Sequence, residues 1–533
     1  MRHSRTINAL LLALLVVSVA GACTAQVQTL SVVKATADGE QTQSATTTVQ
    51  SFKAVEGADL MTRLEAAHEK ARSSSTPYWS AYAFDVRPGV AVDPAIREFN
   101  GSINTMGDTS VFVGTTAGGV TVETRNLAVF LLREPANNQI TRMEVYNLER
   151  KREYSGYPVY WLSRANNEES LNYLRAIAAA APLDILSERA VVAIALHDDA
   201  RVAGMLKNFI STSPNQRIRS SSIYWLGQVG GEQAFLAGMV RNEAEDKKLR
   251  RQAAHAIGAS RDQTSLATLQ SLYDTIKDVE LHRSIVQAAG NTQPTETAFA
   301  FLLTVSKNDP DLESRRIAVR QLGQFEGDRT VDELIRIYQT ETNLDIRRTA
   351  LRSLSETKSA KAQTRLWDLA RTEPNNDLRR TAIRALADSG GDAAVDGLIK
   401  LYDAESVPDI RRSILQSLSD IKGTRVEDKL FDVARNDTAI DLRRQAIRLL
   451  GERATKRSLE FLSTTAQSPD GNAEVQVQAV RAIGERKSEE IVPLLIKIAK
   501  THPNQLVRKQ AMRSLGESGD PRAVEFFREV LTK

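Results

Sequence analysis

The fold is decided by the stretch Asp345-Ile-Arg-Arg-Thr-Ala-Leu-Arg-Ser-Leu354, because it recurs at a fixed interval. Close copies begin at Asp377, Asp409 and Asp441, so the step from each copy to the next is constant. Weaker copies at nearly the same step align through Leu249, Leu281, Ser314, Val475 and Val507, and still weaker ones through Leu186 and Ile218. About eleven units result, and a repeat of this length is typical of a solenoid.

Each unit is predicted to contain two helices. In the copy at Asp377, that residue is a good N-cap, and a helical apolar stripe follows it. The stripe consists of Leu378, Ala382, Ile383 and Leu386. After the Ser389-Gly-Gly turn, a second stripe consists of Val395, Leu398, Ile399 and Leu401. Neither helix can bury its stripe alone, so successive units are expected to stack.

This pattern resembles HEAT repeats, in the short bacterial form found in phycobilisome-lyase-like proteins. The resemblance implies an all-α, right-handed superhelix of antiparallel helix pairs over residues 166–533. It also implies that the second helix of each pair lines the concave side and that the usual role is protein binding. The copy at Val475 departs from the pattern, because Gln476 and Val477 replace both arginines.

Residues 51–165 predict a small α+β domain before the solenoid. Helical spacing covers Ala58–Ser73, and short alternating runs separated by turn residues predict an antiparallel sheet. These runs are Tyr78–Val86, Ser110–Thr115, Val120–Thr124, Asn126–Arg133 and Ile140–Leu148. The aromatic run Tyr157-Pro-Val-Tyr-Trp161 could bind a ligand, but sealing an interface with the helical region is the favoured interpretation.

The N-terminal segment Met1–Ala22 predicts export. A short basic start, Met1–Arg5, precedes the apolar run Ile7–Ala20 and the small-residue pattern Ala20-Gly-Ala22, as in a secretory signal. The following segment, 23–50, is rich in Thr, Ser and Gln and is interpreted as a flexible tether. We therefore expect a periplasmic or other cell-envelope location.

Cys23 is the only cysteine, which excludes an internal disulfide. Ala20-Gly-Ala-Cys23 resembles a bacterial lipobox, in which the cysteine is lipidated after cleavage. Ordinary cleavage near Ala22 or Ala25 is the alternative. A lipid anchor at Cys23 is the only membrane attachment that the sequence suggests.

Bulk charge gives no argument for a nucleic-acid partner. The formal net charge is +4, and loss of Arg2 and Arg5 with the signal leaves +2. Export also argues against nucleic acid, so the expected partner is a protein.

Two charged columns predict a structural ladder between units. We number each unit from the apolar residue that precedes its arginine pair, so that Ile346 is position 0. The acids at −5 are Asp309, Glu341, Glu373, Glu405, Asp437 and Asp470. The arginines at +1 are Arg315, Arg347, Arg379, Arg411, Arg443 and Arg508. Stacking would place these columns side by side as ion pairs.

Positions +2 and +6 carry further arginines on one helix face, since they lie four positions apart. The candidate partner-binding residues are Arg316, Arg320, Arg348, Arg352, Arg380, Arg384, Arg412, Arg444 and Arg448. One interpretation is a solvated face relieved by acids at −1, such as Asp345. The other is a basic concave stripe that binds an acidic protein surface.

Catalytic motifs, metal-ligand clusters and cofactor-binding loops are not found in the sequence. Ser355-Glu-Thr-Lys358 and Ser419-Asp-Ile-Lys422 match a short Ser-x-x-Lys pattern by chance, and His255 and His282 make a poor metal pair. The sequence thus predicts a non-catalytic envelope scaffold that binds a protein. A lyase-like or isomerase-like enzyme is the alternative, and it rests on fold analogy alone.

The C-terminal helix is predicted to close the array. Asp520-Pro521 is a strong helix start, and Val524, Phe527 and Leu531 are spaced to cover the preceding unit. Phe526 and Val530 widen that stripe.

Overall fold

The computed structural model describes residues 52–93, 99–106, 109–116, 123–180, 184–260, 262–293, 295–389, 391–453, 455–468, 471–486 and 490–532. The predicted signal (1–22), the tether (23–50) and Cys23 lie outside the described residues. The described part forms eight strands and 24 α-helices, and it divides into two compact parts between Ser221 and Ser222. None of the described helices is long and apolar enough to span a bilayer.

The strands all precede the long helical region, which confirms the predicted order of an α+β part followed by an all-α solenoid. They are β1 (Lys53–Ala54), β2 (Tyr78–Ala83), β3 (Val90–Val92), β4 (Phe99–Met106), β5 (Thr109–Thr116), β6 (Leu127–Arg133), β7 (Ile140–Asn147) and β8 (Val159–Arg164). Four of them, β1, β3, β4 and β8, are absent from the predicted runs. Most of the run Val120–Thr124 lies outside the described residues.

The larger sheet is mixed, and the prediction of an antiparallel sheet is wrong for part of it. Its strand order is β1-β8-β2-β6-β7, with β8 parallel to both of its neighbours and β2, β6 and β7 antiparallel. A second, three-stranded sheet with order β3-β5-β4 is wholly antiparallel. Alternation along a strand identifies a half-buried strand but carries no information about the direction of its neighbours.

The predicted aromatic interface is a core of the first compact part instead. Val159 and Trp161 belong to β8, and Trp161 lies 5.7 Å from Phe52 between ring centroids. Buried Trp79 and Phe130 pack into the same cluster from β2 and β6. The run therefore packs inside its own sheet, because pairing of β8 with β2 places its side chains on the face that Trp79 already occupies.

Helices α1–α5 are α1 (Leu60–Ala71), α2 (Asn167–Ala180), α3 (Asp184–Ala195), α4 (Arg201–Thr212) and α5 (Gln216–Val229). In the first compact part, α1 packs on β2 and β8, and α3 packs on β7. The next helices are α6 (Gln233–Arg241), α7 (Lys247–Ala259), α8 (Ser265–Thr275), α9 (Val279–Gly290), α10 (Glu296–Asn308), α11 (Leu312–Leu322), α12 (Asp328–Thr340) and α13 (Leu344–Glu356). The last are α14 (Ala360–Thr372), α15 (Asn376–Ser389), α16 (Gly391–Ala404), α17 (Pro408–Ser419), α18 (Thr424–Asn436), α19 (Ile440–Glu452), α20 (Lys456–Gln467), α21 (Ala473–Gly484), α22 (Ile491–Thr501), α23 (Gln505–Ser518) and α24 (Pro521–Leu531).

The helices from α2 to α23 form eleven consecutive pairs in the described residues, as the sequence period predicts. In the second compact part, the odd-numbered helices from α7 to α23 carry the motif, and each packs on the next. One continuous apolar core runs from Val286 to Phe526 between the two layers of helices.

The N-cap lies at position −3, not at −1 as predicted. The side chain of Asn375 accepts hydrogen bonds from the backbone N–H groups of Asp377 and Leu378. Asn343 caps α13 in the same way. Asp377 therefore stands inside the first turn, where a negative charge is favoured by the helix dipole.

Glycine at position +9 sets how closely successive motif helices approach. A Cβ placed on Gly258 would lie 2.2 Å from the backbone oxygen of Ala288 in the next unit. A Cβ on Gly227 would lie 2.5 Å from the backbone oxygen of Ala256. The same crowding against the +7 residue of the following unit occurs at Gly290, Gly323, Gly451 and Gly484. Where glycine stands at +9, successive motif helices interlock too closely to leave room for a Cβ, whereas α13, α15 and α17 hold Ser355, Ala387 and Ser419 at this position.

The predicted ion-pair ladder is present between units. Arg379 donates from Nε to the backbone oxygen of Ala370 at 2.9 Å and pairs with Glu405 of the next unit. Glu405 also accepts a hydrogen bond from the backbone N–H of Val407 at 2.7 Å. Equivalent pairs are Arg315–Glu341, Arg347–Glu373 and Arg411–Asp437. In these four units the +1 arginine thus joins the end of one helix to the start of another. Arg443 and Arg508 donate only to backbone oxygens within the described residues, and Asp470 lies outside them.

The C-terminal helix packs on α22 and α23, as predicted, but with only part of the predicted stripe. Ala523 and Phe526 are buried, whereas Val524 is 56% exposed and Leu531 is 85% exposed. Phe527 is partly buried against the core, so the contact with α22 and α23 centres on Phe526 and leaves out Val524 and Leu531.

Candidate functional site

The +2 and +6 arginines lie on the motif helices α11, α13, α15, α17 and α19, and we call this surface the arginine face. The apolar positions 0, +4, +5 and +8 of these helices are buried in the core, as Ile346, Ala350, Leu351 and Leu354 show in α13. Positions +2 and +6 consequently point away from the core, and their side chains are half-buried or exposed.

The +2 arginines are paired with carboxylates. Arg348 lies 2.5 Å from Asp345 in its own helix and 3.8 Å from Asp377 in the next. Arg444 bridges Asp441 at 3.4 Å and Glu474 at 3.3 Å. The remaining pairs are Arg316–Glu313, Arg380–Asp377 and Arg412–Asp409. The +2 column is therefore a row of alternating charge, with its positive charge largely balanced.

The +6 arginines differ from this row in three successive units. Arg320, Arg352 and Arg384 are exposed and form no ion pair within the described residues. Glu356, at the end of α13, has its pKa raised by burial, and the charge of Arg320 opposes that rise. Further along, Arg448 pairs with Glu452 and donates to the Gln416 side-chain oxygen at 3.0 Å.

A groove of about 590 Å³ opens on this face between α15, α17, α19 and α21. Five of the predicted arginines line it, namely Arg380, Arg384, Arg412, Arg444 and Arg448. Asp441 is the one carboxylate among the described lining residues. The predicted residues Arg316, Arg320, Arg348 and Arg352 lie on α11 and α13 and do not line the groove.

Uncharged amides also line the groove, and sequence reasoning missed them. They are Gln416, Gln445 and Gln478. Gln445 donates from Nε2 to the backbone oxygen of Arg412 at 3.0 Å, while its buried Oε1 has no hydrogen-bond partner. Gln445 and Gln478 share position +3, so their recurrence is the signal that could have identified them.

The groove holds hydrogen-bond donors for an anion but no nucleophile with a base. The described residues contain no cluster of three or more His, Cys, Asp or Glu that could hold a metal ion. His282 stacks on Tyr273 at 4.0 Å and lies 3.5 Å from Asp309, so it contributes to the ladder. Burial lowers the pKa of His255.

The two Ser-x-x-Lys matches have no dyad geometry. Ser355 donates its hydroxyl to the backbone oxygen of Arg352, and Ser419 donates to that of Gln416. Both hydroxyls therefore serve the ends of their own helices, which agrees with the interpretation as chance matches.

A Ser–His contact does occur in the first compact part, where no sequence motif pointed to one. Ser170 Oγ lies 2.8 Å from His197 Nε2, and His197 Nδ1 lies 2.7 Å from the backbone oxygen of Ala193. Burial lowers the pKa of His197 to about 4. Ser170 is 0% exposed and His197 is 2% exposed, so no substrate reaches them and the pair is part of the core.

A second groove, of about 1000 Å³, lies between α14 and α16, each of which is the first helix of its pair. Trp367 closes part of it, since a Cβ on Gly397 would lie 2.4 Å from the indole ring. Its lining combines Arg371 and Lys400 with Asp396 and the ladder residue Glu405. Positive and negative groups are thus mixed in this lining, whereas the lining of the first groove has five arginines and one carboxylate among the described residues.

Comparison with known proteins identifies the repeats. The segments 299–387, 369–451 and 465–533 match the family model for HEAT repeats. No curated protein matches the chain in sequence.

Solved structures resemble the chain in part. Human deoxyhypusine hydroxylase has 16% identity over 49% of this chain and 97% of its own, with a TM-score of 0.23. The CpcE–CpcF complex of phycocyanin lyase from Nostoc sp. PCC7120 has 16% identity over 47% of this chain and 92% of that chain, with a TM-score of 0.24. Kap121p bound to RanGTP has 14% identity over 66% of this chain but only 45% of its own, with a TM-score of 0.33.

Proposed function

We propose that this HEAT-repeat protein is a non-catalytic scaffold of the cell envelope that binds an acidic surface of another protein through the arginine face. One observation carries the proposal. Five guanidinium groups from α15, α17 and α19 line one open groove with a single carboxylate among the described lining residues. Four of these arginines also pair with a carboxylate on their own or the next motif helix, whereas Arg384 has no ion pair within the described residues. An acidic partner would therefore bind Arg384 directly and share or replace the carboxylates at the other four.

The electrostatic attraction of this face comes from the number of arginines on it and not from any single ion pair. An exposed ion pair contributes roughly 0.2–1 kcal/mol, so one arginine binds little. Several arginines that line one groove add their potentials and raise the local concentration of an acidic partner. Binding should therefore weaken steeply with salt, because the screening length is about 10 Å at 0.1 M.

The envelope location is supported by the sequence of the segment Met1–Cys23. If Cys23 is lipidated, the protein should sediment with membranes, and Cys23→Ser should release it into the soluble envelope fraction. The same sedimentation for both proteins would leave simple secretion and remove the lipid anchor from the proposal.

A site-specific cross-link tests the binding face. A photo-reactive amino acid replaces Ser413, which lines the groove, or Asp432, which is exposed on the first helix α18. We expect a discrete cross-linked partner from Ser413 and none from Asp432 in cells that export the protein. Reversed or equal cross-linking at the two positions would contradict the proposal.

Charge removal gives a second, independent test with a defined probe. Arg380→Gln, Arg412→Gln and Arg444→Gln in one protein, the groove variant, should weaken binding of fluorescent poly-L-glutamate at least tenfold. The control variant carries Arg336→Gln, Arg371→Gln and Arg425→Gln, which remove the same charge from the first helices, where all three side chains are exposed. Equal binding by the two triple variants would show that only net charge matters.

A lyase-like or isomerase-like activity stays an alternative prediction from the family resemblance. Such chemistry needs a ligand-sized apolar cavity with a few converging polar groups. Both described grooves are open and lined by several charged side chains, so neither favours this alternative.

A further inference from the structure

The arginines at +2 and at +6 differ in whether they already have a carboxylate partner. At +2, each cation already has a carboxylate, as in the contacts of Arg348 with Asp345 and Asp377. At +6, Arg320, Arg352 and Arg384 have no ion pair within the described residues. A carboxylate that approaches the face consequently gains most at +6, where it displaces no existing ion-pair partner.

These three +6 arginines repeat with the spacing of the helices that carry them. They occupy the same position in α11, α13 and α15, which pack side by side in the array. Packed helices lie about 8–10 Å apart. One available cation is therefore presented about every 8–10 Å along the face.

Few backbone conformations present carboxylates at that interval on one side. Neighbouring side chains on an α-helix surface lie about 5–6 Å apart. Same-face side chains of a β-strand lie about 7 Å apart, since each residue rises about 3.3 Å. A polyproline II segment has three residues per turn and rises about 3.1 Å per residue, so every third side chain returns to one side after about 9 Å.

We propose that the arginine face selects an extended, polyproline-II-like acidic segment with a carboxylate at every third residue, one for each HEAT unit. The segment lies across α11, α13 and α15 and places successive carboxylates on Arg320, Arg352 and Arg384. This inference rests on the proposed function, because it names the form of the acidic partner at the same face.

The groove that continues from Arg384 fits the same kind of ligand. Its amides Gln416, Gln445 and Gln478 stand beside the arginines and add uncharged polar groups to the lining. A polyproline II segment has no internal hydrogen bonds, so its backbone N–H groups are free to donate. A folded helix or a paired strand has already used those groups.

A pair of peptides tests the register directly. The first contains five copies of Glu-Ala-Pro. The second has the same composition and the same first and last glutamates, but its glutamates are spaced alternately two and four positions apart. Binding of each labelled peptide to the full chain is measured by fluorescence anisotropy at low and moderate salt.

We expect the every-third peptide to bind about tenfold more tightly, which corresponds to about 1.4 kcal/mol. Arg320→Gln, Arg352→Gln and Arg384→Gln together should remove that preference. The control variant of Arg336, Arg371 and Arg425 should keep it. Circular dichroism of both variants checks that helicity is unchanged.

The other outcomes separate this inference from the proposed function. Equal binding of the two peptides, with loss in the groove variant, overturns the register while the acidic-partner function stands. Failure of both peptides to bind overturns the function itself. Tighter binding of an oligothymidylate of equal charge than of either peptide would overturn both, in favour of a nucleic-acid partner.

Discussion

Substitution of Gly258 by alanine tests whether the glycine column sets the spacing of the units. Gly258 occupies position +9 of α7, and the backbone of α9 passes directly over it. A methyl group there would lie 2.2 Å from the backbone oxygen of Ala288 and 2.7 Å from its carbonyl carbon. Both atoms belong to a helix backbone, so the whole of α9 must move to accommodate the methyl.

Two opposing effects decide the magnitude. Alanine is favoured over glycine in a helix interior by about 1 kcal/mol. Forcing an extra methyl group into a packed contact costs roughly 1–3 kcal/mol, and contact with rigid backbone belongs at the upper end. We therefore expect Gly258→Ala to destabilise the α7–α9 region by about 1–2 kcal/mol.

Gly516 provides the matched control. It stands at the same +9 position in α23, but nothing lies within 4 Å of an added Cβ, because no further motif helix follows among the described residues. Gly516→Ala should thus be stabilising, by up to about 1 kcal/mol.

Hydrogen exchange is the suitable assay, since long repeat arrays need not unfold in a two-state manner. Protection of α7 and α9 should fall by a factor of about 5 to 30 in Gly258→Ala. Protection of α21 and α23 should hold in that variant and stay equal or rise in Gly516→Ala. Unchanged or increased protection of α7 and α9 in Gly258→Ala would refute the interlock.

The ladder, an acidic cap and the last helix provide three further tests. Arg379→Met leaves the almost buried carboxylate of Glu405 without its partner and should lower the free energy of unfolding by about 3–5 kcal/mol. Arg380→Met removes an exposed pair and should lower it by only about 0–1 kcal/mol. Chemical unfolding compares the two variants, and similar losses of stability would show that the ladder pairs contribute no more than exposed pairs. The hydrogen bond from Arg283, together with those from Ser314, holds the pKa of Asp311 well below its usual range, so its stabilising contribution is present above about pH 4, the unfolded value, and is lost as the pH falls further. Thermal unfolding should accordingly lose less stability on acidification in Asp311→Asn than in the parent, and parallel pH curves would exclude this contribution. Deletion of the segment 520–533 uncovers the contact of Phe526 with the preceding unit and should reduce hydrogen-exchange protection in α22 and α23 while α11–α15 keep theirs; equal protection in α22 and α23 would mean that α24 is not a cap.

The repeat and its core were determined by the sequence alone. The constant period, the two apolar stripes per unit and the paired charges at −5 and +1 all recur in register, and periodic burial is a local property that each helix carries in its own spacing. The ladder followed because stacking any two such units brings Arg379 of one to Glu405 of the next. The nine candidate arginines were found in the same way, as columns on one helix face.

The helix caps, the strand directions and the buried face of the last helix depended on which helices and strands pack together. No single segment of the sequence carries that information. Position −3 is the cap because Asn375, not Asp377, reaches the free N–H groups of α15. The direction of β8 depends on its pairing with β2, which lies much earlier in the chain. The face of α24 that is buried depends on where α22 lies.

The candidate site shows the same division. The sequence placed Arg348 and Arg352 four positions apart on one face, but it could not show that Arg348 is occupied by Asp377 of the next unit while Arg352 has no ion pair within the described residues. Charge balance at a surface is a sum over neighbouring helices, whose side chains approach only after the units stack. Tertiary packing therefore decided which arginines are available to a partner, and the sequence alone decided that they form a column.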